Sequence, residues 1–140
     1  MGRPCREADA QSIDAEPVHI LLVDDDGANR TMARALLERA GYRVSEAADG
    51  TAALDLLKNG DQNLMVLDLD MPVLSGQSVL AQVWSSVTTA GLPIIVLTGS
   101  SDTVTEIHMM EQGADDYIRK PIDPPRFVAR VKAALRRAGG

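Results

Sequence analysis

The chain has 140 residues, nearly half of them apolar but only 3% aromatic, with a formal net charge of −6 and one cysteine, Cys5. That length suits a single domain whose core is built from Val, Ile, Leu, Met and Ala. The charge argues against a broad nucleic-acid surface or adsorption to anionic lipid, a lone cysteine excludes an intramolecular disulfide, and no apolar run approaches the roughly 18 residues of a membrane span.

Residues 1–17 are polar and lack both apolar periodicity and the h-region of a secretory signal, so they read as a flexible tail. The folded unit is expected over 18–138, with Gly139 and Gly140 as a short C-terminal end. The absence of a signal or membrane span, together with the single thiol, favours a reducing cytoplasmic setting. Arg136 and Arg137 form a small basic spot, which suits a helix C-terminus better than a binding patch.

From Val18 onward two textures alternate. Short apolar runs predict strands at His19–Val23, Tyr42–Ser45, Leu64–Leu67, Pro93–Leu97 and Asp116–Arg119. The first, third and fourth are almost continuously apolar, as strands covered on both faces must be. Between them the apolar spacing is helical. Met32, Ala33, Leu36, Leu37 and Ala40 share one face of a first helix, and Ala52, Ala53, Leu56 and Leu57 one face of a second. Val79, Leu80, Val83, Trp84 and Val87 mark a third, Val104 and Ile107 a fourth, and Phe127, Val128, Val131 and Leu135 a fifth. Gly41 and Gly60 stand at helix C-termini, Asp102 or Thr103 at the N-terminus of the fourth, and Asp123 with Pro124 at that of the fifth. Met109 and Met110 are expected to pack within the fourth helix. His19 and His108 are expected to be partly exposed structural residues rather than metal ligands.

Five strands alternating with five helices give an α/β, (βα)5 doubly wound fold: a parallel sheet between two helical layers. Ligands of such sheets bind beyond the carboxyl ends of the strands. Asp24, Asp25 and Asp26 follow the first strand, and Asp68 and Asp70 the third. Carboxylates converging from adjacent strand ends repel one another and raise one another's pKa, and a hard divalent cation such as Mg2+ relieves that repulsion. The triplet taken alone equally suits a turn and a helix cap. Thr98, Gly99 and Ser100 follow the fourth strand, where a hydroxyl can donate to a phosphoryl oxygen or simply begin a turn. Lys120 and Pro121 follow the fifth. The lysine is either a solvated surface charge or a point charge facing the acidic residues, and Pro121 suits a tight turn compatible with a cis bond.

The order of these features resembles the receiver domain of bacterial two-component response regulators. The stretches that carry the resemblance are ILLVDDD at 20–26, VLDLDMP at 66–72 with Gly76, IVLTG at 95–99 and GADDYIRKP at 113–121. It runs from about His19 to Ala138. The resemblance implies a flavodoxin-like sheet of order 2-1-3-4-5 and a chemotaxis-regulator-like switch in which Asp68 accepts a phosphoryl group from a sensor histidine kinase or phosphotransfer protein. By the same analogy Asp24 and Asp25 form the acidic pocket. Asp25, Asp68 and the backbone carbonyl of Asp70 ligate Mg2+, with Asp24 acting largely through metal-bound water. Thr98 and Lys120 hold the phosphoryl oxygens, Thr98 and Tyr117 switch together, and the side chains of Asp70 and Ser100 tune the lifetime of the phosphorylated state. The readout is expected on the face of the fourth helix, fifth strand and fifth helix, through which an output partner or a second copy of the chain would bind. No enzyme activity is implied beyond the domain's own phosphotransfer and autodephosphorylation. The sequence departs from the family pattern at Ile122, where an aromatic is frequent, and at Gly99, where alanine is commoner.

Two other functions compete. Asp68 and Asp70 match the Asp-x-Asp of haloacid-dehalogenase-like phosphohydrolases, but there the motif follows the first strand and a cap domain shapes the pocket. A pseudo-receiver, an interaction module insensitive to phosphate, would lack pocket residues that this chain has. The ending at the fifth helix fits a single-domain regulator and a receiver excised from a longer protein alike.

Overall fold

The structure, a computed structural model, describes residues 17–69, 91–99, 103–111 and 113–138. Five strands, β1 (His19–Val23), β2 (Arg43–Ala47), β3 (Leu64–Asp68), β4 (Ile94–Thr98) and β5 (Asp116–Arg119), form one parallel sheet of order β2-β1-β3-β4-β5. Every residue of β1, β3 and β4 is buried, which is why these runs read as continuously apolar. The edge strands β2 and β5 mix buried and exposed positions.

The described helices are α1 (Gly27–Arg39), α2 (Gly50–Leu57), α3 (Thr103–Glu111) and α4 (Pro124–Ala138); α3 and α4 are the fourth and fifth helices of the sequence pattern. The helix expected around Val79–Val87 and the cap expected at Asp102 lie outside the described residues. Asp26 caps α1, its carboxylate accepting from Ala28 N at 2.9 Å and Asn29 N at 3.2 Å. Asp49 does the same for α2 through Ala52 N at 2.8 Å. Both helices are followed by a glycine in the left-handed region, Gly41 at φ 98° and Gly60 at φ 72°. The cores lie on either side of the sheet. Ile20, Leu22, Val66 and Leu97 face α1 and α4 through Ala33, Leu37, Phe127 and Val131, while Leu21, Val23, Met65 and Val96 face the side covered by α2.

Several expectations are corrected. Strand β2 runs two residues further than its apolar run, because Glu46 is inside it and satisfied by arginines of α1. Met32 is 39% exposed at the edge of the α1 stripe, and Val104, Ile107 and Met110 are exposed on α3 rather than packed. His19 is buried, not partly exposed, with its Nε2 in a 2.6 Å hydrogen bond with Ser45 Oγ. The two sides of α1 therefore differ energetically. Leu37→Ala should lower the unfolding free energy by about 2–5 kcal/mol, whereas Met32→Ala should change it by about 0.5 kcal/mol, as read from urea unfolding curves.

Candidate functional site

The carboxyl ends of β1, β3, β4 and β5 come together at one rim of the sheet. Asp24, Asp25 and Asp68 each place a carboxylate oxygen there, all within 4.8 Å of one another. Asp24 and Asp68 are buried and Asp25 is exposed. Lys120 reaches in from beyond β5, its Nζ donating to Asp68 Oδ1 at 2.8 Å. The loop that carries Lys120 is fixed by its own backbone, whose N–H donates to the Thr98 carbonyl at 2.8 Å, and the Lys120–Pro121 peptide is cis. Thr98 closes β4 and is buried.

The triplet after β1 divides its labour. Asp26 is the α1 cap, so the turn-and-cap reading holds for it, while Asp24 and Asp25 join the acidic cluster. Burial raises the Asp24 carboxyl to about 6; the Asp26 N–H, donating to Asp24 Oδ1 at 2.9 Å, opposes the rise, and the charge and hydrogen bonding of Asp68 add to it.

The pleat assigns the remaining residues to faces. Side chains alternate along a strand, so Asp68 follows Leu64 and Val66 toward α1 and α4, and Lys120 follows Ile118 to the same side. Thr98 follows Val96 to the other side, where half-buried Tyr117, paired in register with Val96, also packs. A cleft of about 460 Å³ lies between α3, β5 and α4, lined by Glu106, Tyr117, Arg119, Lys120, Arg126 and Arg130. Asp70 and Ser100, both expected in the site, lie outside the described residues. Sequence reading missed Arg30 and Glu46. Arg30 Nη1 donates to the Asp24 carbonyl at 2.7 Å and its Nε to Glu46 at 3.0 Å. The available signal was an arginine one turn beyond the Asp26 cap, which can fold back over the helix N-terminus, together with a lone glutamate inside a strand.

The family model described as the response regulator receiver domain matches residues 20–132. The chain belongs to the response regulator receiver domain family. Relatives of this receiver domain include the response regulator MprA of Mycobacterium sp. (strain KMS), 44% identical over 86% of this chain and 52% of the relative. The DNA-binding response regulator MtrA of Mycolicibacterium paratuberculosis is 40% identical over 84% and 51%. The chain thus spans about half the length of these curated relatives. Among solved structures, the CheY-like receiver domain protein of Methanospirillum hungatei JF-1 superposes with a TM-score of 0.82 at 29% identity, covering 89% of this chain and 98% of that one. A second structure, of a response regulator from Chloroflexus aurantiacus, gives 0.81 at 35% identity over 86% and 98%. Membership, with Asp68 at the end of the third strand rather than the first, sets the phosphohydrolase reading aside. Among the described residues no helix is long and apolar enough to cross a membrane.

The donor set of this receiver domain fits a hard cation: three carboxylates from two adjacent strand ends, with no sulfur or imidazole among them. In Mg2+-free buffer the raised Asp24 pKa has a measurable sign. As pH rises from about 4 to about 6 the unfolded chain ionises Asp24 before the folded one does, so this group lowers stability through that window, by up to about 3 kcal/mol above it. Asp24→Asn should therefore be more stable than wild type in urea unfolding at pH 7.5. That advantage should shrink by about half at pH 5.

Proposed function

We propose that this receiver domain is a phosphorylation switch in which Asp68 is the phosphoacceptor. The observation that carries the reading is the pairing of buried Asp68 with Lys120 Nζ at 2.8 Å inside a three-carboxylate cluster. An Asp68 carboxylate oxygen attacks the phosphorus of a phosphohistidine on a sensor kinase or phosphotransfer protein. The phosphorus–nitrogen bond breaks, the imidazole nitrogen leaves with the electron pair, and an acyl phosphate forms on Asp68. Such transfer needs alignment and neutralisation of charge more than covalent assistance. Asp25, Asp68 and the backbone carbonyl of Asp70 would hold Mg2+, with Asp24 completing the acidic pocket. Bound there, Mg2+ supplies positive charge against the carboxylates and the phosphoryl oxygens.

Lys120 then exchanges one anionic partner for another: the ammonium that pairs with Asp68 turns to a phosphoryl oxygen of the product. The Thr98 hydroxyl donates to a further oxygen. Thr98 and Tyr117 share one face of adjacent strands, so a shift of Thr98 toward the phosphoryl group opens space that the Tyr117 ring can fill. That links the pocket to the α3–β5–α4 surface, where an output partner, an output domain or a second copy of the chain would read the state. Phosphorylation biases a pre-existing equilibrium between two packings of this surface. The side chains of Asp70 and Ser100 would tune hydrolysis of the acyl phosphate by helping or hindering the attacking water. The chain acts as an enzyme only on itself. The domain is assigned to residues 18–138 and the setting to the cytoplasm. The presence of both the acidic cluster and Lys120 favours this reading over a phosphate-insensitive module.

Incubation with Mg2+ and a small acyl phosphate donor should add one phosphoryl group to wild type and none to Asp68→Ala, as read by intact mass. A gain in both proteins, or in neither, would sink the assignment. Lys120→Ala should keep Mg2+ binding yet lose the change in β5 and α3 amide shifts that beryllofluoride induces in wild type. Shifts of undiminished size in the variant would remove Lys120 from the coupling.

A further inference from the structure

The turn after β1 carries two residues of the acidic cluster, Asp24 and the proposed cation ligand Asp25, on consecutive positions, and one peptide plane joins them. The carbonyl of that plane belongs to Asp24 and accepts from Arg30 Nη1 at 2.7 Å. The same guanidinium is gripped on its other prong by Glu46, whose Oε1 accepts from Arg30 Nε at 3.0 Å. Glu46 in turn is held within β2, where its neighbours Ser45 and Ala47 pair in register with Leu21 and Val23 of β1. A rigid guanidinium thus spans from an ordered strand to a single turn carbonyl, a reach that suits its planar fork and that a lysine ammonium cannot match.

We infer that Arg30, braced by Glu46, is a positioning residue for the cation-holding turn. Fixing the Asp24–Asp25 peptide plane limits the backbone angle on each side of it, and so aims both carboxylates. Asp24 has a second restraint in the Asp26 N–H at 2.9 Å and a third in its burial. Asp25 is exposed, so packing does little to orient it, and the plane that precedes it matters more. The pair also resolves an electrostatic conflict. A bare guanidinium beside a cation site would repel the cation; Glu46, whose carboxyl is held below its usual pKa by Arg34 and Arg30, cancels that charge. The clamp therefore supplies geometry without adding net charge. Arg34 provides the comparison: it also pairs with Glu46, and with Glu38, but makes no hydrogen bond to the turn. Both arginines contribute to the tie between α1 and β2, and only Arg30 reaches the Asp24 carbonyl.

This inference rests on the Mg2+-dependent reading of the site, and the experiment separates the two. Mg2+ dissociation constants are measured by calorimetry at pH 7.5 on wild type, Asp25→Ala, Arg34→Ala and the double variant Arg30→Gln/Glu46→Gln, which leaves net charge unchanged. The double variant should bind Mg2+ about tenfold more weakly, with the amide resonances of Asp24, Asp25 and Asp26 displaced before any Mg2+ is added. Arg34→Ala should bind as wild type does. If the double variant is not folded by circular dichroism, Arg30→Lys serves in its place, with the same weakening expected. Wild-type affinity in the variant, or an equal loss in Arg34→Ala, overturns the positioning role while leaving the switch reading intact. If wild type itself does not bind Mg2+, or Asp25→Ala binds it equally well, the reading of the site falls and the inference with it.

Discussion

The contact between Lys120 and Asp68 is the interaction on which the rim of the sheet depends. Two carboxylates within 4.8 Å of each other repel by roughly 3 kcal/mol at an effective dielectric of about 20, and three of them multiply the problem. Within the protein the repulsion is answered in two ways: an ammonium donates to one carboxylate, and another, Asp24, has its pKa raised to about 6 and so stays mostly neutral below that pH. Neither answer is complete at neutral pH. The donor set of such a pocket suits a divalent cation, because binding would relieve a cost the fold already bears.

The rest of the molecule holds that imbalance in place. Fully buried β1, β3 and β4 bring Asp24, Asp68 and Thr98 to one edge. The parallel arrangement guarantees that all strand ends point the same way. Backbone hydrogen bonds across the ends, from Asp24 N to the Ala47 carbonyl at 3.1 Å and from Leu69 N to the Leu97 carbonyl at 2.9 Å, continue the sheet one residue past its strands. The charged side chains thus project from a backbone that is still laddered, not from loose loops. This is the physical reason a few short side chains can hold a fixed mutual geometry.

Much of this was legible in the sequence. Runs buried on both faces must be apolar throughout, so β1, β3 and β4 announced themselves, and the acidic residues and lysine were found where such strands end. What stayed hidden depended on contacts between distant segments. Glu46 disguised the end of β2, because a charged residue inside a strand makes sense only once Arg30 and Arg34 of α1 are seen beside it. Helical spacing gave Val104 and Ile107 a common face but not the direction that face points, and on α3 they are exposed. The Asp triplet could not be divided by composition. Only the first residue of α1 shows that Asp26 is a cap and that Asp24 and Asp25 are left for the pocket.

The pleat places Asp68 and Lys120 on one side of the sheet and Thr98 and Tyr117 on the other. Thr98 is therefore where the two faces meet: it closes the same rim as Asp68, while its side chain belongs to the side of the sheet on which Tyr117 packs.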